Sequence, residues 1–91
     1  MIGSFRSKKL KRLFEKGLPG AVGADISDRA SLLLDQLDAA IKPEDMNIPG
    51  GGFHTLRGKP KRYSVHVNGN WRITFEWRDG DAIRVDLEDY H

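Results

Sequence analysis

Two hydrophobic periods divide this chain. Up to about residue 42 apolar positions recur at helical spacing, and beyond residue 52 they alternate. Leu10, Leu13 and Phe14 fall on one helical face, with Lys8, Lys9, Lys11, Arg12 and Lys16 around them. Ser7 stands where an N-cap belongs and Gly17 where a C-cap belongs, so a short amphipathic helix is expected over 7–16. A small strand at Ile2–Phe5 fits ahead of it. Gly17 to Gly23 reads as a loop with Pro19 inside it. Ile26, Ala30, Leu33, Leu37 and Ile41 then mark one face of a second helix near 27–42, with Ser27 as its cap and Pro43 as its stop. Pro49-Gly50-Gly51-Gly52 is the clearest break, and it separates a helical half from a strand half.

In the strand half, Tyr63, Val65 and Val67 share one face, as do Trp71, Ile73, Phe75 and Trp77, and then Ile83, Val85 and Leu87. Parity constrains the turns, because a one-residue slip moves a whole strand's side chains to the other face. A three-residue loop Asn68-Gly69-Asn70 pairs Val67 with Trp71, Val65 with Ile73 and Tyr63 with Phe75. An odd loop around Asp79-Gly80-Asp81 pairs Trp77 with Ile83, Phe75 with Val85 and Ile73 with Leu87. The reverse face then carries Ser64, His66, Arg72, Thr74, Glu76, Arg84 and Asp86, with Arg72 between His66 and Glu88 and with Glu76 facing Arg84. Phe53–Arg57 should add an edge strand beside Tyr63. The expected architecture is α+β: two N-terminal helices on one face of a 3–4-stranded antiparallel sheet, with an open polar face opposite.

Length and composition narrow the class. Ninety-one residues support one core, so residues 1–91 are expected to form a single domain. With no cysteine, neither a disulfide framework nor a thiolate metal site can form. The three histidines show no metal-ligand spacing, and no cofactor is implied. No targeting segment or membrane span is apparent, which suggests a soluble, cytoplasmic protein. The net charge of +2 conceals a segregation. Residues 1–20 carry six cations and one anion, whereas residues 21–49 carry two and six. From Gly50 to Phe75 there are five Lys or Arg and no acid at all. Clustered positive charge suits a polyanionic partner.

The chain ends on Glu88-Asp89-Tyr90-His91, directly after an apolar-alternating stretch that should hold it in a sheet. A carboxylate, a phenol and an imidazole beside a basic, acid-free segment suit RNA cleavage. In that reaction the 2′-hydroxyl attacks the adjacent phosphate, and no metal is required. A protein assists by removing the 2′ proton, stabilising charge on phosphorus and protonating the 5′ oxygen. Arg57 and Arg72 suit phosphate, since guanidinium binds its oxygens in bidentate fashion. Lys59, Lys61 and Arg62 extend that cationic surface. His54 and His91 suit proton transfer. Asp89 suits an orienting or basic role, and Tyr90 a stacking or phosphate contact. Each has a plainer reading: a solvated loop at 57–62, a surface ion pair of Arg72 with Glu88, and a bare chain end at His91. His66 reads as structural, and Trp71 and Trp77 face the core.

Several segments together resemble a known family. They are Met1-Ile2-x-Ser4-Phe5, Leu13-Phe14-Glu15-Lys16-Gly17, His54-x-Leu56-Arg57-Gly58, Asn70-Trp71-Arg72-Ile73-Thr74-Phe75, Gly80-Asp81-Ala82 and Glu88-Asp89-Tyr90-His91. In this order they resemble the HigB-type killer toxins of the RelE/ParE toxin–antitoxin superfamily. The resemblance implies a RelE-like fold and a ribosome-dependent mRNA endonuclease. It also implies a cognate HigA-type antitoxin with a helix-turn-helix domain, through which alone the toxin meets operator DNA. The family's functional positions fall on His54, Arg57, Arg72, Asp89, Tyr90 and His91. Some relatives carry an arginine where this chain has Asn68, a contact that Arg62 or Lys61 would have to supply. Two other functions suit the same residues: a ParE-like gyrase inhibitor without RNase activity, and a non-catalytic RNA- or partner-binding module.

Overall fold

The computed structural model describes residues 1–17 and 22–90. The loop expected around Pro19 falls mostly outside these residues, and so does His91. Helix α1 spans Lys8–Lys16, bounded by the expected caps. Ser7 Oγ accepts the Leu10 N–H at 3.1 Å, and Gly17 adopts φ 65° with its N–H on the Leu13 carbonyl. Its core contacts are Leu10 and Leu13, and Phe14 packs against Phe5 with ring centroids 5.8 Å apart.

Helix α2 spans Ala24–Ala39, three residues ahead of its expected range at each end. Gly23 precedes it at φ 92°, and Ser27 lies inside the first turn, where its hydroxyl donates to the Ala24 carbonyl. Ser27 is therefore not the cap. Ala40 turns extended, and Pro43 opens a 3-10 turn, Pro43–Met46, instead of ending the helix. The Asp45 carboxylate accepts the N–H groups of Ile41 and Lys42 and fixes that turn. Ile41 consequently leaves the apolar face and is 82% exposed. Its place in the core is taken by Met46 and by Leu34.

Four strands follow: β1 (His54–Leu56), β2 (Arg62–Asn68), β3 (Trp71–Arg78) and β4 (Asp81–Asp89). They form an antiparallel meander in the order β1-β2-β3-β4. The expected pairs Tyr63 with Phe75, Val65 with Ile73, and Ile73 with Leu87 all form. The turns achieve this differently from the expected odd loops. Asn68 pairs with Trp71 around a two-residue Gly69-Asn70 turn, and a bulge between His66 and Asn68 absorbs Val67. The second turn is Asp79-Gly80, with φ values of 52° and 85°, the left-handed pair of a type I′ hairpin. A second bulge places Arg84 at φ 50°. Beyond it the register slips by one, so Trp77 pairs with Ala82, and Ile83 pairs with Glu76. Ala82 is buried in place of Ile83.

The N-terminal strand appears as two parallel bridges, Ile2 to Ala82 and Phe5 to Val85, along the outer edge of β4. Phe75 sits at the centre of the core, fully buried, with the Tyr63 ring 5.5 Å and the Trp77 ring 6.4 Å away. The result is the RelE-like α+β arrangement. Among the described residues no helix is long and apolar enough to cross a membrane.

Candidate active site around Arg72

The polar side of the sheet is less open than parity suggests. Ser64, Thr74 and Glu76 are all buried there. Neighbouring side chains and a glycine loop close over its centre. Arg62 donates to Glu88 at 2.8 Å, and the Thr74 hydroxyl donates to the same carboxylate oxygen. Glu88 is thus occupied, although it pairs with Arg72 in register. Arg84 reaches Glu76 at 3.7 Å, so the expected ion pair survives the register slip.

Arg72 is held from two sides. Its Nε–H donates to Ser64 Oγ, and an Nη2–H donates to the Gly52 carbonyl at 2.6 Å. These two contacts use two of the five guanidinium N–H groups, and Nη1 makes neither of them. The Tyr90 ring lies against the guanidinium, 5.9 Å from centroid to Cζ. Tyr90 is itself tied down, because its N–H donates to the Asn70 carbonyl at 2.6 Å.

His54 lies at the start of β1, opposite Ser64. Its Nδ1 is 3.0 Å from the same Gly52 carbonyl. A carbonyl only accepts, so Nδ1 carries a proton, and Nε2 is the ring nitrogen turned away from this contact. The 3.3 Å approach of Arg72 Nη2 to His54 Nδ1 is then two donors converging on one oxygen.

This carbonyl escapes a reading of side chains. The Pro49–Gly52 stretch reads from sequence only as a break, yet it lies against β2, with the Gly51 carbonyl accepting the His66 N–H at 2.7 Å. At Gly51 a Cβ would stand 3.0 Å from Ile48 and 3.2 Å from Val65. At Gly52, φ is 51° and a Cβ would meet the Arg72 guanidinium at 3.6 Å. Successive glycines are the one sequence signal of such a close approach. Parity places Ser64 on the polar face, but no sequence signal marks it as the Arg72 acceptor.

The other expected residues are distributed unevenly. Arg57 and Lys59 are exposed beyond β1, and no contact joins either to Arg72, His54 or Tyr90 among the described residues. Lys61 lies over the Tyr63 ring, 5.4 Å from Nζ to centroid. Arg62 belongs to β2 and pairs with Glu88 through Nη1. Asn68 donates to the Asp25 carbonyl at 3.3 Å. His66 bonds the Gly69 carbonyl at 2.9 Å, in keeping with a structural role. Asp89 pairs with Trp71, so strand alternation directs it away from the face that carries Arg72 and Tyr90. A groove of about 470 Å³, lined by Ser7, Val22, Ile26, Trp71 and Leu87 among others, shares no residue with the Arg72 cluster. Among the described residues no three His, Asp or Glu side chains gather as a metal site.

Two helices on a four-stranded meander, with Tyr90 packed beside Arg72, give the RelE-like fold. The particular family follows from comparison. A family model described as "RelE-like toxin of type II toxin-antitoxin system HigB" matches residues 3–91. The chain is 42% identical over 92 residues to Endoribonuclease HigB of Proteus vulgaris, covering all of both chains. It is 32% identical over 87 residues to Toxin HigB-1 of Vibrio cholerae, covering 92% of each. The chain belongs to the HigB family of type II toxin–antitoxin toxins, whose members pair with an antitoxin.

Proposed function

We propose that this HigB-family toxin is an endoribonuclease that cuts mRNA on the ribosome by 2′-hydroxyl attack on the scissile phosphate. The observation that carries this reading is the shared Gly52 carbonyl. It holds the Arg72 guanidinium and the His54 imidazole side by side, one as a fixed cation and the other as a fixed acceptor. In the proposed step His54 Nε2 takes the 2′ proton, the 2′ oxygen bonds to phosphorus, and the bond to the 5′ oxygen breaks. The products are a 2′,3′-cyclic phosphate and a 5′-hydroxyl. The free edge of Arg72 meets two phosphate oxygens as charge builds on them. Tyr90 packs the flanking nucleotide, and His91, the next residue, delivers the proton to the leaving oxygen. Asp89, the residue before Tyr90, acts as orienter or base in this proposal. Arg57 and Lys59 attract the RNA strand from the exposed loop. The similarity to a relative named as an endoribonuclease supports the reaction class.

The regulatory partner in this proposal is a HigA-type helix-turn-helix antitoxin, which alone contacts operator DNA. A chain ending at Tyr90 should lose growth arrest and mRNA cutting, about 10²–10⁴-fold in rate if His91 is the proton donor. Its thermal transition should match the full chain. Full toxicity of the truncated chain would remove His91 from the mechanism.

Ser64→Ala tests the positioning of Arg72. The loss of the Nε acceptor lets the guanidinium swing, and a displacement of about 1 Å can cost on the order of 10²-fold in rate. Single-turnover cleavage should fall with little change in RNA affinity. An unaltered rate would show that the Gly52 carbonyl alone fixes Arg72.

A further inference from the structure

The polar side of β3 and β4 carries the carboxylates Glu76, Asp86 and Glu88, and each is already engaged. Glu76 pairs with Arg84, and Glu88 pairs with Arg62. Asp86 accepts the N–H of its own neighbour Leu87. Arg72 stands apart from the other two arginines. Its acceptors, Ser64 Oγ and the Gly52 carbonyl, are both uncharged.

This arrangement runs against register. Arg72 and Glu88 stand directly opposite each other in β3 and β4. The Cβ atoms of such a pair are about 4.5–5.5 Å apart, within reach of two long side chains, and opposite charges there attract. Yet among the described residues no ion pair joins Arg72 to Glu88. The Glu88 side chain instead crosses β3. One oxygen accepts both the Thr74 hydroxyl and Arg62 Nη1 of β2, the latter at 2.8 Å. Arg72 also reaches toward β2 and ends at Ser64, two residues from Arg62. The two side chains therefore run to neighbouring positions on one strand, and a short swing would bring them together. Only 34% of the Arg62 side chain and 29% of the Glu88 side chain are exposed, so water and salt screen their charges incompletely. Without Arg62, the Glu88 carboxylate keeps the Thr74 hydroxyl and faces Arg72 as the one arginine here with no acid partner. A Glu88–Arg72 pair would harm the site in two ways. A carboxylate takes up the same guanidinium N–H groups that a phosphate uses. It would also draw the guanidinium off Ser64 and Gly52.

We propose that Arg62 is a positioning residue: it holds the Glu88 carboxylate away from Arg72 and so keeps the Arg72 charge available to phosphate. The consequence for cleavage rests on the endoribonuclease reading. The test compares wild type, Arg62→Ala, Glu88→Gln and the Arg62→Ala, Glu88→Gln double variant in single-turnover cleavage of ribosome-bound mRNA. Arg62→Ala should cut about ten- to a hundredfold more slowly, the scale of a displaced catalytic group. Adding Glu88→Gln should restore the rate to within about threefold of wild type, a coupling that two independent losses cannot give. A double variant as slow as Arg62→Ala would overturn the proposal, because Arg62 would then be either a phosphate ligand itself or a support for the sheet. An Arg62→Ala variant as fast as wild type would overturn it too. The Arg72 Nε–H resonance, assigned by its absence from Arg72→Lys, reads the same swing by NMR without any RNA. It should move in Arg62→Ala and return in the double variant, and a resonance that stays in place would overturn the proposal whatever the rates. If Arg62→Ala unfolds, Arg62→Gln removes the charge from a side chain that still packs, and the same comparisons apply. A wild type that cuts no mRNA, with a resonance that moves and returns, would sink only the endonuclease reading.

Discussion

Arg72→Ala should reduce RNA cleavage by on the order of 10²–10³-fold, the scale seen when a preorganised donor to a developing oxyanion is removed. In the proposed reaction the Arg72 N–H groups not used by Ser64 and Gly52 are the donors to phosphate. The substitution also strips Ser64, which is fully buried, of its partner. An unpaired buried hydroxyl costs about 1–3 kcal/mol, so stability should fall modestly while the fold survives. Arg72→Lys separates charge from shape. An ammonium keeps the positive charge but cannot bond Ser64 and Gly52 and also present a bidentate edge. Its rate should lie much nearer the alanine variant than wild type in single-turnover assays on mRNA. A lysine variant with full activity would mean that charge alone suffices, and the Gly52 clamp would lose its function.

The largest effect on stability belongs to Phe75. It is fully buried between the Tyr63 and Trp77 rings, at the level where β4 bulges. Phe75→Ala should cost about 3–5 kcal/mol through lost transfer energy and an unfilled cavity. Against a total stability of about 5–15 kcal/mol, this lowers the melting temperature by on the order of 20 °C. Differential scanning calorimetry reads it directly. A shift of only a few degrees would mean that the core collapses around the gap. Activity at low temperature should outlast the loss of stability, because Phe75 has no contact with Arg72 or His54 among the described residues.

What the sequence revealed follows from which signals are local. The caps of α1 were legible because Ser7 and Gly17 act on their own turn. The start of α2 was not, because Gly23 offers no side-chain cap and Ser27 imitates one. The strand pairing near Ile73 was legible from parity. Its turns were misread because a three-residue loop and a two-residue turn plus a bulge both insert one residue. The exchange of Ile83 for Ala82 follows the β4 bulge, where the N-terminal segment also lies, its Gly3 N–H donating to the Ala82 carbonyl at 2.7 Å. That contact joins opposite ends of the chain and leaves no periodic trace. In the candidate site, His54, Arg72 and Tyr90 were legible as chemistry-bearing side chains, and the structure brings them together. The Gly52 carbonyl was not, since a backbone oxygen has no residue type. Arg62 was read as a loop cation because nothing local announces Glu88 across the sheet.

In the proposed reaction Arg72 and His54, held on one carbonyl, cleave the RNA. Mapping mRNA 5′ ends after brief induction, in wild type against Arg72→Ala, tests it most directly. Wild type should give new 5′-hydroxyl ends within coding sequences, and the variant should lose them while the protein stays folded. Growth arrest without new ends, with replication stopping first and a DNA-damage response, would contradict it and point to gyrase.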